Sequence, residues 1–148
     1  MTDFDRYLTS RGHKDPVLVS NELTDLGIIP DRIFTSPAKR AFQTAEIFSN
    51  RFQLSRTNIV SADFLYGYYS IEALIELLQR LASKFPCVQV VGHNPKIEEL
   101  AADLTGSVYR RVPTSGTLVL DFDVKKWEHI MEGSGTLMHF LTPKPLRD

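Results

Sequence analysis

Apolar positions along this chain follow two rhythms, short runs suited to strands and longer stretches spaced three and four residues apart. Thr9 or Ser10 opens a helix that carries Val19, Leu23 and Leu26, and Gly27 ends it. Arg32-Ile33-Phe34-Thr35-Ser36 reads as a strand, after which Ala41, Ala45, Phe48 and Phe52 recur at helical spacing. The same succession returns in Val88-Gln89-Val90-Val91-Gly92-His93-Asn94-Pro95, followed by Ile97, Leu100, Ala101 and Leu104. The pattern predicts helix over 10–26, strand over 32–36, helix over 37–52, helix over 70–85, strand over 88–93 and helix over 95–105. Two further strands, 116–122 and 135–141, flank a polar connection around Trp127 and read as an antiparallel or edge pair. Helices alternating with strands point to a layered α/β sandwich rather than a bundle.

Composition narrows the classes. A chain of 148 residues with 43% hydrophobic content suits one domain, 1–148, with a single sizeable core. A net charge of −1 gives no broad field for nucleic acid or a membrane surface, so neither is expected as a partner. The sequence has no apolar stretch of transmembrane length, and no signal peptide is expected. Cys87 is the one cysteine, which rules out an internal disulfide and fits a cytoplasmic setting.

The chemistry concentrates where the two similar strands give way to helices. Ser36 and Asn94 read as N-caps, with Pro37 and Pro95 at the first helical positions that tolerate proline. Arg40 falls in the first turns of one helix, and His93 closes the other strand. Ligands of open α/β sheets collect outside the carboxyl ends of strands, where helix N-termini offer N–H groups and a positive dipole end. Arg40 and His93 at two such ends describe an anion site, most simply one for phosphate, with Ser36 and Asn94 placed to touch the ligand as well as cap.

The run Ser36-Pro37-Ala38-Lys39-Arg40-Ala41-Phe42-Gln43-Thr44-Ala45, with Val91-Gly92-His93-Asn94-Pro95, resembles the two internal motifs of the histidine phosphatase superfamily. The closest likeness is to its small phosphohistidine phosphatase (SixA-like) branch. Asp3-Phe4-Asp5-Arg6 with Leu8-Thr9-Ser10-Arg11-Gly12 is similar to that branch's early loop and first helix start. Glu98-Glu99-Leu100-Ala101 is similar to its fourth helix, and Pro113-Thr114-Ser115-Gly116 to the lead into its late strand. The resemblance implies a three-layer α/β/α sandwich with a mostly parallel, phosphoglycerate mutase-like sheet. It also implies a phosphatase acting through a phosphohistidine intermediate, with no cofactor and no metal, on a phosphorylated protein or a small phosphate-bearing substrate. His93 would be catalytic, and Arg40, Ser36 and Asn94 would hold phosphate.

One departure outweighs the agreements. The family's defining first strand ends in Arg-His-Gly or Arg-His-Ala and supplies the nucleophilic histidine, whereas this chain opens at Met1 in what would be the following loop. The shortfall is on the order of fifteen residues, a typical strand of about 5 to 6 plus its loop. The strand is expected in the middle of the sheet, beside the strands that end at Ser36 and His93, so its loss would leave two unpaired inner edges. Unpaired buried backbone groups cost about 1 to 3 kcal/mol each against a stability of only about 5 to 15. The expectation is therefore a native protein that carries the strand, with a strand borrowed from a partner chain as the alternative. A catalytically inactive phosphate- or phosphoprotein-binding module is the other reading, and a domain whose pocket is a relic the third.

Other candidates are weaker. Arg11-Gly12-His13 has the letters in the wrong order and no apolar strand before it. Asp63 stands where many relatives place a general acid, but the segment around it is short, and an imidazole leaving group has less need of one. Tyr66, Tyr68 and Tyr69 either line the mouth or pack over the core. His139 reads as a packing residue of the last strand, and His129 has no motif around it. Counting from Cys87, the position of a tyrosine phosphatase arginine is His93, so no thiolate cradle is present. The aspartates of Leu120-Asp121-Phe122-Asp123 come too late in the chain for an aspartate-nucleophile phosphatase.

Overall fold

The computed structural model describes residues 2–81, 84–107 and 109–147. Helix α1 (Ser10–Asp25) leads into β1 (Arg32–Thr35), α2 (Lys39–Arg51), β2 (Ile59–Ser61), α3 (Ile71–Gln79), β3 (Val88–Val91) and α4 (Lys96–Thr105). Strands β4 (Thr117–Phe122) and β5 (Gly135–Leu141) follow. The Thr9 hydroxyl accepts from the Gly12 N–H and caps α1, as its position in the sequence predicts. Gly106, at φ +66, closes α4 in a left-handed conformation that a side chain would strain. No described helix is long and apolar enough to cross a membrane.

Strands β2, β1 and β3 form a parallel sheet in that order, with Phe34 opposite Val60 on one side and Val90 on the other. Strands β4 and β5 form a separate antiparallel pair, with a register shift between Val119 and Leu120. Alternation along β1 sends neighbouring side chains into two cores. Ile33 joins Val19, Leu23, Ala45, Phe48 and Phe52 from α1, α2 and the end of α2. Phe34 joins Leu74, Leu78, Leu100 and Leu104 from α3 and α4.

The hairpin shares both cores. Leu120 and Phe122 pack with Val88 and Val90 on the α3/α4 side, while Val119 and Leu141 pack with Val91 on the α1/α2 side. The β4–β5 pair therefore continues the layer of the parallel sheet, with helices on both faces, although among the described residues no ladder joins the two. The result is a mixed α/β sandwich in which, among the described residues, no strand pairs with β3 on the side away from β1 or joins it to the hairpin.

Three expectations need correction. The further strand expected beside those ending at Ser36 and His93 does not fit between them, because β1 and β3 are directly hydrogen-bonded and Ser36 N–H extends their ladder to Val91 O at 2.9 Å. The open edge lies on the other side of β3. Helix α3 ends at Gln79 instead of reaching 85, of which Ala82 and Ser83 lie outside the described residues. Phe85 is held by tertiary contacts, its carbonyl accepting from Trp127 Nε1 at 2.7 Å and its ring lying under the Arg32 guanidinium. Strand β2, which the sequence pattern did not predict, is three residues long and pairs only through the backbone register of β1.

Candidate active site

The loops after β1 and β3 bring Arg40 and His93 together, with Arg40 Nη2 3.2 Å from His93 Nδ1. The opposite ring nitrogen, Nε2, lies 2.7 Å from the hydroxyl of Ser36. Ser36 is fully buried, and its Oγ also accepts the Ala38 N–H at 3.2 Å. It stands behind the histidine ring and does not cap α2, which begins at Lys39 after an Ala38 cap. The Ser36 hydroxyl keeps the local Ala38 N–H bond and adds the histidine ring, but the helix itself starts only at Lys39.

Asn94 also departs from its expected capping role. Pro95 occupies the cap of α4, and the Asn94 amide instead donates to Val112 O at 2.6 Å. Buried Glu98 accepts the Val112 N–H at 2.9 Å, so the two side chains clamp the segment that follows α4. Asp63 is exposed and opens a short 3-10 turn over Asp63–Leu65 that sets the position of Tyr66. His129 sits in another such turn over Trp127–His129, and His139 lies in β5 opposite Val119. His13 lies in the second turn of α1, where its N–H donates to Thr9 O.

Residues from the N-terminal loop complete the site. Arg40 Nη1 donates to Asp3 O at 2.7 Å and Nη2 to the Asp3 carboxylate at 3.2 Å. The Tyr66 hydroxyl donates to the same carboxylate at 3.1 Å. Tyr66 also packs edge-on against His93 and against Phe4, with ring centroids 5.4 and 5.0 Å away. Lys39 adds a second cation at the start of α2, bonded to the Tyr7 hydroxyl at 2.8 Å, while its backbone N–H is taken by Phe4 O. The backbone donors at this helix start are therefore partly used, and side chains supply the positive charge.

Electrostatics follow from this crowding. Burial lowers the pKa of His93, the nearby guanidinium lowers it further, and Asp3 only partly offsets them, so the ring favours its neutral form. Desolvation would raise the Asp3 carboxyl, but the bonds from Tyr66 and Arg40 outweigh it and hold it below its ordinary value. Burial first, then the Asp3 carboxylate, raises Tyr66 and keeps its hydroxyl a donor. Burial likewise raises the Cys87 thiol, which favours its protonated, unreactive form.

Comparison with known proteins bears on the family and the fold. Residues 2–62 match the model of the histidine phosphatase superfamily (branch 1). The protein histidine phosphatase SixA in complex with tungstate superposes with a TM-score of 0.84, at 26% identity over 99% of this chain and 90% of that one. The chain resembles the histidine phosphatase superfamily, in sequence over residues 2–62 and in fold over nearly its whole length. Within it, a structure from Agrobacterium tumefaciens, provisionally assigned as the phosphohistidine phosphatase SixA, has a TM-score of 0.77. Its identity is 28%, over 97% of this chain and 87% of that one. An uncharacterized chloroplast protein of Arabidopsis thaliana is 29% identical over 144 residues, or 91% of this chain. The chain spans 65% of that protein's length.

Sequence reasoning missed Asp3 as a site residue of this histidine phosphatase fold. Its motif, Asp3-Phe4-Asp5-Arg6, marked the early loop, but nothing local tells that the carboxylate meets a guanidinium 37 positions on. That carboxylate stands against Arg40 where an anionic ligand would. Asp3→Asn keeps the shape and removes the charge, and is expected to tighten inorganic phosphate binding on the order of fivefold, the scale of a half-exposed ion pair. Isothermal titration of both proteins with phosphate reads this directly; unchanged affinity would mean that phosphate does not meet Asp3.

Proposed function

We propose that this protein is a metal-independent phosphatase acting on phosphohistidine carried by another protein. The observation that carries the reading is the meeting of Arg40 and His93 at the carboxyl ends of two adjacent parallel strands. Arg40 grips equatorial oxygens of the phosphoryl group, and His93 donates to them as charge builds. Ser36 and Asn94 hold the histidine and the neighbouring segment in place. The nucleophile is a histidine at the end of a further parallel strand, which fits the open layer between β3 and the hairpin. Its ring nitrogen attacks phosphorus in line, the P–N bond of the substrate breaks, and the departing imidazole takes up a proton. Water then attacks the phosphoenzyme, breaks its P–N bond and releases inorganic phosphate with the enzyme histidine restored.

Three features support this substrate. One SixA structure similar to the chain is described as a protein histidine phosphatase and holds tungstate, a tetrahedral oxyanion, and another is provisionally assigned as a phosphohistidine phosphatase. The segment from Asp63 to Ser70 forms a small roof, with Tyr68 almost entirely exposed, which leaves room for a protein surface. An imidazole leaving group also departs without a strong general acid, in keeping with the exposed position of Asp63.

The test is phosphate release by the protein purified from its native source, offered a phosphohistidine-bearing protein and, separately, a phosphoserine peptide. Release from the first, lost on His93→Ala, is the expected result. Phosphate binding without turnover of either would leave the chain a phosphate-binding module.

A further inference from the structure

Both ring nitrogens of His93 are engaged, and the chemistry of their partners assigns the proton. A guanidinium has N–H donors and no acceptor, so Nδ1, 3.2 Å from Arg40 Nη2, presents its lone pair. The proton of the neutral ring therefore sits on Nε2 and is donated to Ser36 Oγ at 2.7 Å. Ser36 has no other exposure, being fully buried at the end of β1, and the Ala38 N–H fixes the direction of its hydroxyl oxygen. We propose that Ser36 is the positioning residue of the site, locking His93 as the Nε2–H tautomer so that Nδ1 is the atom turned toward Arg40 and the ligand. The proposal rests on the phosphoryl-site reading given above.

A consequence concerns the bound state. A phosphoryl oxygen drawing Arg40 onto itself would face the Nδ1 lone pair, an acceptor against an acceptor. Nδ1 must then take a proton from solvent to become a donor, so ligand binding is accompanied by conversion of His93 to imidazolium. The charged and titratable groups facing the ring are Arg40 from α2, Asp3 from the N-terminal loop and Tyr66 from the segment after β2. Arg40 and burial oppose that charge in the free protein, whereas a phosphate dianion favours it.

Long-range proton–nitrogen NMR of the ¹⁵N-labelled chain separates pyrrole-type from pyridine-type ring nitrogens, with His93 assigned by His93→Asn. In the ligand-free protein at neutral pH, His93 is expected to show a pyrrole-type Nε2 and a pyridine-type Nδ1. Ser36→Ala is expected to lose this single state to a mixture of tautomers, and Ser36→Thr, which keeps the hydroxyl, to restore it. Inorganic phosphate is expected to move Nδ1 to the protonated position. A pyrrole-type Nδ1 in the free protein, or an unchanged tautomer in folded Ser36→Ala, would overturn the assignment. Phosphate binding that Arg40→Ala abolishes but that leaves Nδ1 unprotonated would overturn it too, with the phosphoryl site intact. Binding indifferent to Arg40→Ala would instead remove the site reading, while the ligand-free tautomer would still decide the role of Ser36.

Discussion

Arg40→Ala is expected to weaken inorganic phosphate binding by about 100-fold or more. Each hydrogen bond from a charged donor contributes about 1.5 to 3 kcal/mol, and each 1.4 kcal/mol is a factor of ten, so losing a two-pronged grip reaches that scale. The loss has a second source, because the Asp3 carboxylate that Arg40 now neutralises would remain in the site as bare negative charge. Arg40→Lys should recover only part of the affinity, since an ammonium cannot grip two oxygens through a planar fork. The Asp3→Asn and Arg40→Ala changes share one contact and should not add in the double variant. Titration calorimetry checks all four proteins. Arg40 has a part-exposed side chain on the surface of α2, so the variants should remain folded.

The second large effect concerns the open layer. Joining an apolar strand that ends in Arg-His-Gly ahead of residue 2, through a loop long enough to reach β3, is expected to raise stability and to confer phosphohistidine hydrolysis. The geometry is permissive because Asp3 sits against Arg40, at the carboxyl end of the sheet. A strand parallel to β3 would end there and pass directly into the loop that carries Asp3. Pairing both its edges adds several backbone hydrogen bonds at about 1 kcal/mol each. A net gain on the order of 3 kcal/mol would correspond to a rise in Tm of about 10 °C. The same strand ending in Arg-Ala-Gly should give the stability without the turnover. Calorimetry and a phosphate-release assay thus separate the structural role of the strand from the chemical role of its histidine. A gain in neither property would mean that the space between β3 and the hairpin is not a strand site.

Where local pattern and tertiary structure agree, the fold is legible in the sequence. Helices α1 and α4 appear nearly as the spacing of Val19, Leu23, Leu100 and Leu104 predicts, and the β4–β5 pair is antiparallel as its alternation implies. The meeting of Arg40 and His93 is legible for the same reason, since each follows a strand and the strands prove to be neighbours. Failures occur where a distant partner outbids a local one. Asn94 has ideal cap chemistry, yet its side chain is claimed by Val112 O, and the Ser36 hydroxyl is shared between the Ala38 N–H and His93; both helices start later than expected. Asp3 was invisible as a site residue because its meaning depends on α2 folding back beside it. Strand β2 was missed because three residues cannot display a period.

The most direct test of the account is a titration of the ¹⁵N-labelled chain with inorganic phosphate, followed through backbone and histidine-ring signals. Saturable shifts confined to Asp3, Ser36–Arg40, Tyr66 and His93–Asn94 are expected, all abolished by Arg40→Ala. Shifts centred on another surface, or shifts at the same residues that survive the loss of Arg40, would contradict it.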